Sequence, residues 1–527
     1  MKPPCDEAAI RSGKDGTPCA TRARIWTLVA TILGSSLAFI DGTVVNVALP
    51  ALQATFHATV VDAQWVVESY SLLLAALILV GGSLGDIFGR RLIFLVGVAI
   101  FALASAGCGI AASIEQLILA RSIQGVGAAL LVPGSLAIIS TSFDDKSRGQ
   151  AIGTWSGFTA MTTALGPVLG GWLIEHASWR WAFYINVLLA VVVIGISLRH
   201  ITESRGATSG RVDWQGALAA TLGLGGLVYG LVESNRGRGH SLVGVSLIAG
   251  CVFLALFLLI EAREQSPMVP VMLFRSSSFS GANLLTLFLY GALGICFFLL
   301  PLNLIQVQKY SATAAGGAVL PLILLMFLLS RWSGGLVARY GSRLPLILGP
   351  LVAASGFALL ALPSVGGNYW KTFFPGVVVL GLGMAITVAP LTTVVMNAVA
   401  QDLVGTASGI NNAVARVAAV LAIAVFGIVM MKAFGWHLVR SLAHYSLPTQ
   451  LLTEIQSRET NLAAMQPPAG LDSDIRAAVT ISIENAFVYG FRVVMWLCAA
   501  LAFASSAVAW LMIPKISGSH LSNSREY

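Results

Sequence analysis

Two charged residues stand where charge is expensive. Asp41 interrupts LAFIDGTVVNVALP (residues 37–50) and Arg121 interrupts LARSIQGVGAA (119–129), each a stretch otherwise apolar enough for lipid. Such a residue at the centre of a membrane helix costs about 2.5–3.5 kcal/mol on insertion scales, so each implies a use. Arginine keeps its proton, and inside a membrane it needs a carboxylate, a backbone carbonyl or water. A carboxylate behaves differently. Desolvation raises its pKa and a neighbouring cation lowers it, so a site that alternates between those surroundings loads and releases a proton. The alternative is a polar residue that faces protein interior for packing alone. Glu68, in AQWVVESYSLLL, is a third anomaly. It lies three residues after Trp65 and can share its helix face, and a carboxylate beside an aromatic ring suits a lipophilic cation. It equally suits a second proton site or a group wetted at the outer rim. Asn46, Asn411, Asn412 and Arg416 complete the polar candidates for a substrate cavity, with helix anchoring as the plainer role for Arg416.

The elements that must position these residues are membrane helices. The chain has 527 residues, of which 57% are hydrophobic and only 10% charged. Its mean hydropathy of +0.84 is outside the range of soluble domains. Apolar runs of about 20 residues recur, long enough to cross a hydrocarbon core as helices, and the alternation of barrel strands is absent. The runs predict an all-α polytopic membrane protein with about fourteen spans. Residues 1–25 read as a polar N-terminal tail and not as a cleaved signal, and 514–527 as a second tail. The segment 432–485 is too polar to span, carries Pro448, Pro467 and Pro468, and predicts a partly helical external loop.

Basic residues set the orientation. With the N-terminus inside, the short cytoplasmic loops hold Arg90, Arg91, Lys146, Arg148, Arg199, Arg205, Arg211, Arg263, Arg275, Arg339 and Arg343. The short outer loops hold only Arg180, Arg236, Arg238, Lys309 and Lys371. Both termini are therefore expected in the cytoplasm, in a plasma or inner membrane. The net charge of +8 reflects this bias and anionic lipid headgroups, with no indication of nucleic acid.

Enzymatic and metal chemistry find no footing. GGSLG (81–85) matches a hydrolase nucleophile elbow, but it ends a membrane helix instead of joining a strand to a helix. The seven histidines lack the partners of a triad or metal site, and the six cysteines form no metal spacing or disulfide framework. No Gly-Lys-Ser/Thr surrounds any lysine, which excludes a nucleotide-driven pump on this chain. The expectation is no catalytic residue, no metal and no cofactor, with energy drawn from an ion gradient.

The chain also repeats. GGSLGDIFGRRLIFLVG (81–97) and SGGLVARYGSRLPLILG (333–349) align at a constant offset of 252, setting Gly82 over Gly334, Gly89 over Gly341 and Arg91 over Arg343. Two six-helix halves follow, at 26–200 and 279–513, with two inserted helices over 213–261. Duplicated six-helix halves are a secondary-transporter design. In the first copy Gly82 and Gly89 permit close helix ends and a tight turn, while Asp86 can accept hydrogen bonds from backbone or arginine. The plainer reading is turn residues plus the positive anchors Arg90 and Arg91.

With those motifs in hand, the chain resembles the major facilitator superfamily, and within it the fourteen-spanner drug:proton antiporters. IDGTVVNVALP (40–50), GGSLGDIFGRR (81–91), LARSIQGVGAA (119–129), ALGPVLGG (164–171) with WRWAFYINV (179–187), and DWQGALAATLGLGGLVYGL (213–231) look like the family's signatures in order. The resemblance implies the major facilitator fold and coupling of Asp41 and Arg121 to proton movement. It implies conformational roles for Asp86, Gly82, Gly89, Arg90 and Arg91, and ties Gly166, Pro167, Gly170 and Gly171 to antiport. One departure stands out: an arginine commonly follows the aspartate in the loop signature, and here Ile87 does, so Asp86 is expected to rely on Arg90 or on the other half. The resemblance implies efflux of amphipathic or cationic drugs in exchange for protons. Transport of one specific metabolite, or a non-transporting membrane sensor or scaffold, are the other readings. In a cell with two membranes the external loop could meet a periplasmic adaptor.

Overall fold

In this computed structural model the described residues are 18–143, 145–205, 213–234, 240–264, 267–399, 403–443, 445, 448–468 and 472–514. In lipid every backbone N–H and C=O must find its partner within the segment, so apolar runs of this length close into helices. The chain order is α1 (Pro18–Phe56), α2 (Val60–Phe88), α3 (Arg90–Ile110), α4 (Ile114–Ser142), α5 (Asp145–His176), α6 (Trp181–His200), α7 (Trp214–Glu233) and α8 (His240–Arg263). There follow α9 (Ser277–Leu302), α10 (Ala312–Ala318), α11 (Leu320–Tyr340), α12 (Arg343–Leu360), α13 (Phe373–Asn397), α14 (Val404–Leu442), α15 (Thr449–Ser457) and α16 (Ser473–Met512). Fourteen segments among the described residues are long and apolar enough to cross a membrane. The stretches read as tails lie largely outside the described residues, although α1 begins at Pro18, inside the first of them.

Local chemistry explains where helices start. Thr59 caps α2 in a reciprocal box with Asp62, and Ser113, Asp213 and Ser276 accept backbone N–H groups at the starts of α4, α7 and α9. Between α2 and α3 a single residue, Gly89, turns the chain at φ +123°, a conformation that a side chain would strain.

The chain divides into two units, one of residues 1–268 with 310–317 and one of 269–309 with 318–527. The repeat seen in sequence does the same structural work in each. In the first, a Cβ on Gly97 of α3 would meet the α4 backbone at Leu131 at 2.7 Å. In the second, a Cβ on Gly356 of α12 would meet Leu380 of α13 at 2.5 Å, and Gly349 on the same helix packs against Thr387. Small residues let these helix backbones close on one another where lipid supplies no hydrophobic drive. The inserted helices α7 and α8 pair likewise, with Gly223 and Gly226 against Leu254 and Gly250.

The segment 432–485 carries helix and turn structure. α14 has 39 residues and α16 has 40, so at about 1.5 Å per residue each far exceeds the roughly 30 Å of hydrocarbon. Their surplus ends, α15 and a 3-10 turn at Glu459–Ala464 bury Phe434, Leu438, Leu442, Ile455, Leu462, Val479 and Ile483. Lys309 Nζ meets Glu484 at 2.9 Å at the base of this cap.

Candidate functional site

Five helices of the first unit converge on Asp41. The carboxylate projects from α1. On α4, Arg121 and Gln124 are three residues apart and so share a face. α3 supplies Ser105 and Cys108, α6 supplies Asn186, and α2 supplies Tyr70 and the carbonyl of Val66. The approach of α4 to α2 depends on Gly125, where a Cβ would lie 2.5 Å from the Tyr70 carbonyl oxygen. Asp41 and Arg121 are each only 1% exposed, and Gln124, Asn186 and Ser105 are fully buried.

The hydrogen bonds form one network. Asp41 Oδ2 accepts from Arg121 Nη1, and Oδ1 accepts from Gln124 Nε2 at 2.8 Å and Asn186 Nδ2 at 3.0 Å. Arg121 also donates through Nε to the Val66 carbonyl at 3.1 Å and through Nη1 to Gln124 Oε1 at 2.8 Å. Its guanidinium lies 4.2 Å from the Tyr70 ring centroid, while the Tyr70 hydroxyl donates to the Ala38 carbonyl at 3.1 Å. Ser105 Oγ donates to the Phe183 carbonyl and accepts from Gln124 and Asn186. Every group that reaches Asp41 is a donor, the surroundings of an ionised carboxylate. The pairing of Asp41 with Arg121 that the family resemblance implied is thus present in the structure.

Glu68 is fully buried on α2, and neither carboxylate oxygen has a partner among the described residues. Trp65 is differently engaged than its spacing from Glu68 suggested. Its Nε1 donates to Glu233 Oε1 of α7 at 2.9 Å and its ring lies 6.0 Å from that of Tyr229, so its polar handle serves the inserted helix. Asn46 has a buried side-chain oxygen without a partner among the described residues.

At the α2–α3 turn, Asp86 accepts from Arg90 Nε at 2.8 Å and forms an ion pair with its Nη2 at 2.7 Å, one of the two partners expected where Ile87 replaces the family's arginine. Arg91 donates to the Leu198 carbonyl at 3.0 Å. Glu203, which follows α6, accepts from the backbone N–H groups of Arg91 and Leu92 at 3.0 and 3.1 Å, capping α3. A Cβ on Gly89 would stand 2.7 Å from that carboxylate. Gly82 is less confined, with Pro133 at 3.8 Å.

On α5, Gly166 and Gly170 lie against Thr43 and Val44 of α1, so the glycines bring α5 onto the helix that bears Asp41. Gly171 and Pro167 lie against Ala312 and Gly316 of the segment 310–317, where Glu175 accepts from the Thr313 hydroxyl at 2.6 Å. In the second unit, Asn411 donates to Asn283 Oδ1 at 3.1 Å and Thr286 Oγ1 at 2.8 Å. Asn412 is exposed and donates to the Ser408 carbonyl, and Arg416 is half-buried. The described residues contain no group of histidine, cysteine or carboxylate side chains able to hold a metal ion.

Reading the sequence missed Gln124, Asn186, Ser105, Glu203 and Glu233. Gln124 was within reach as the residue one turn from Arg121, whereas Asn186 shares its span with Ser197 and carried no such signal.

The comparisons with known proteins agree with this architecture. The family model described as Major Facilitator Superfamily matches residues 31–423. The chain is 32% identical over 521 residues to the multidrug resistance protein Stp of Mycobacterium tuberculosis, covering 95% of each chain. It is 31% identical to the tetracenomycin C resistance and export protein of Streptomyces glaucescens over 94% of each chain. It is 34% identical to the puromycin resistance protein pur8 of Streptomyces alboniger, over 79% of this chain and 83% of that one. Among solved structures, an inward-facing bacterial homologue of the human lysosomal transporter Spinster superposes with a TM-score of 0.63 at 19% identity, covering 94% of this chain and 98% of that chain. A single family model runs through the Asp41 site and most of both units, and this chain belongs to the Major Facilitator Superfamily.

Proposed function

We propose that the protein is a secondary active transporter that exports amphipathic or cationic drugs and related small molecules in exchange for protons. Export is supported by relatives named for multidrug resistance and antibiotic export that match nearly the whole chain. The observation that carries proton coupling is the enclosed Asp41 carboxylate, paired with Arg121 in a helix that crosses the membrane. An ion pair of this burial is costly to keep for fastening alone, because neutral packing of the same volume is often as stable. In the cycle we envisage, Asp41 gives up its proton toward the cytoplasm, the ionised site favours substrate binding, and protonation from outside accompanies release. Both termini then lie in the cytoplasm and the protein sits in the plasma or inner membrane.

Relatives named for a single antibiotic favour a second reading, an exporter dedicated to one compound. Uptake of a lipophilic fluorescent cation into inverted vesicles under an imposed inside-acid gradient tests both. Accumulation that disappears with Asp41→Asn supports proton-coupled drug export through this site. Accumulation that survives the substitution overturns the role of Asp41, and no accumulation in either protein favours a dedicated exporter.

A further inference from the structure

The Asp41 network contains one polar atom that nothing in it uses. Asn186 is fully buried, and its Nδ2 donates to Asp41 Oδ1 at 3.0 Å and reaches Ser105 Oγ at 3.2 Å. Its side-chain oxygen is buried and has no partner among the described residues. A buried amide carbonyl in that condition is uncommon in folded proteins, because it loses water and gains nothing in return. Asparagine is the residue that can reverse its role in place, since half a turn about its terminal torsion exchanges an acceptor for two donors.

We propose that Asn186 is the positioning residue that lets the Asp41 site hold either protonation state without opening. With Asp41 ionised, Asn186 donates to Oδ1. When Oδ1 takes a proton, that N–H would face an O–H donor, and rotation of the amide turns the idle oxygen onto the new hydroxyl. One proton is gained by Asp41, the two hydrogen bonds that Asn186 makes to Asp41 and Ser105 reverse direction, the Ser105 hydroxyl leaves the Phe183 carbonyl, and Arg121 keeps all its own protons. Ser105 can face either state, because its hydroxyl accepts from Asn186 Nδ2 while donating to the Phe183 carbonyl and can turn its one proton from that carbonyl onto the amide oxygen once the amide has rotated. Gln124 cannot make the same exchange, since its Oε1 is held by Arg121 Nη1 at 2.8 Å and approached by Cys108 Sγ at 3.6 Å. Among the described residues the titratable and charged groups around Asp41 are Arg121 from α4, Cys108 from α3 and Tyr70 from α2, with Glu68 buried elsewhere on α2. Asn186 is thus the one contact of the carboxylate free to follow its charge.

This inference rests on the proton-coupled reading of Asp41, and the test separates the two. Infrared difference spectra of the full-length protein in lipid, taken across a pH step, would be recorded for the wild type, Asp41→Asn, Asn186→Leu and Asn186→Thr. The carboxylic C=O band absent from Asp41→Asn belongs to Asp41. In the wild type it should appear together with a change in a side-chain amide band. In Asn186→Leu the amide change should vanish, the carboxylic band should move to the higher frequency of an acid that donates no hydrogen bond, and gradient-driven transport should fall about tenfold. In Asn186→Thr, whose hydroxyl can donate or accept, band position and transport should return most of the way, which separates a switching role from mere packing. An Asp41 band in Asn186→Leu identical to that of the wild type overturns the role of Asn186 alone. Absence of any titrating Asp41 band in the wild type overturns the coupling reading and this inference together.

Discussion

The indole of Trp65 donates to the carboxylate of Glu233 at 2.9 Å, a bond that joins the second membrane span to the inserted helix α7. Val66, the next residue, accepts from Arg121, so one turn of α2 touches both the inserted pair and the charge cluster. Trp65→Phe keeps the ring and removes the donor, leaving a buried Glu233 with one partner fewer. The expected loss is about 1–3 kcal/mol of stability, with a reduced transport rate, measured by thermal unfolding in detergent and by vesicle uptake. Glu233→Gln preserves an acceptor and should remain near the wild type.

Arg121 is held by more than its charge. It bonds Asp41, Gln124 and the Val66 carbonyl and lies over Tyr70. Lysine offers one compact charge without the planar fork, so Arg121→Lys should abolish most gradient-driven uptake, by tenfold or more at about 1.4 kcal/mol per decade. Uptake near the wild-type rate would mean that positive charge alone suffices at this position.

Glu203 caps the helix that starts at Arg90. Removing the carboxylate with Glu203→Ala should cost about 1 kcal/mol, the usual worth of a cap at a helix N-terminus. Gly89→Ala should cost more, because it forces a side chain into φ +123° and against that carboxylate. Melting temperatures of the two variants in the same detergent check the order.

The cap built from the ends of α14 and α16 with α15 should weaken with rising pH. Glu459 is partly buried beside Gly435, and burial raises its pKa above the ordinary carboxylate value of 4.5. A carboxyl whose folded pKa is raised binds its proton more tightly when folded. Its contribution is therefore best at low pH and is lost as pH rises from the ordinary value through the raised one. Protection factors of the amides in 448–468, which remove the intrinsic pH dependence of hydrogen exchange, should fall over that window in the wild type, and the fall should flatten in Glu459→Gln.

The parts legible in sequence were those carried by period, cost and repetition. Apolar runs of fixed length foretold the spans, two charges in such runs marked Asp41 and Arg121, and the resemblance to the family implied that the two work together. The rest depended on tertiary placement. Asn186 and Gln124 are unremarkable as letters, since neutral polar side chains occur in many membrane helices and acquire meaning only beside a charge. Trp65 shows the converse. Its spacing from Glu68 allowed a shared ligand face, yet the inserted helix supplied a carboxylate for its N–H, and no periodicity within α2 could reveal that. Glu203 was hidden because the backbone donors it caps carry no sequence signal of their own.

The surplus length of α14 and α16 makes the two helices a pointer. Because the cap fixes both helix ends in a common core, a small tilt of these helices within the bilayer becomes a larger sideways sweep at the tip. A reporter attached there would register movements of the buried helices while touching none of the transport chemistry.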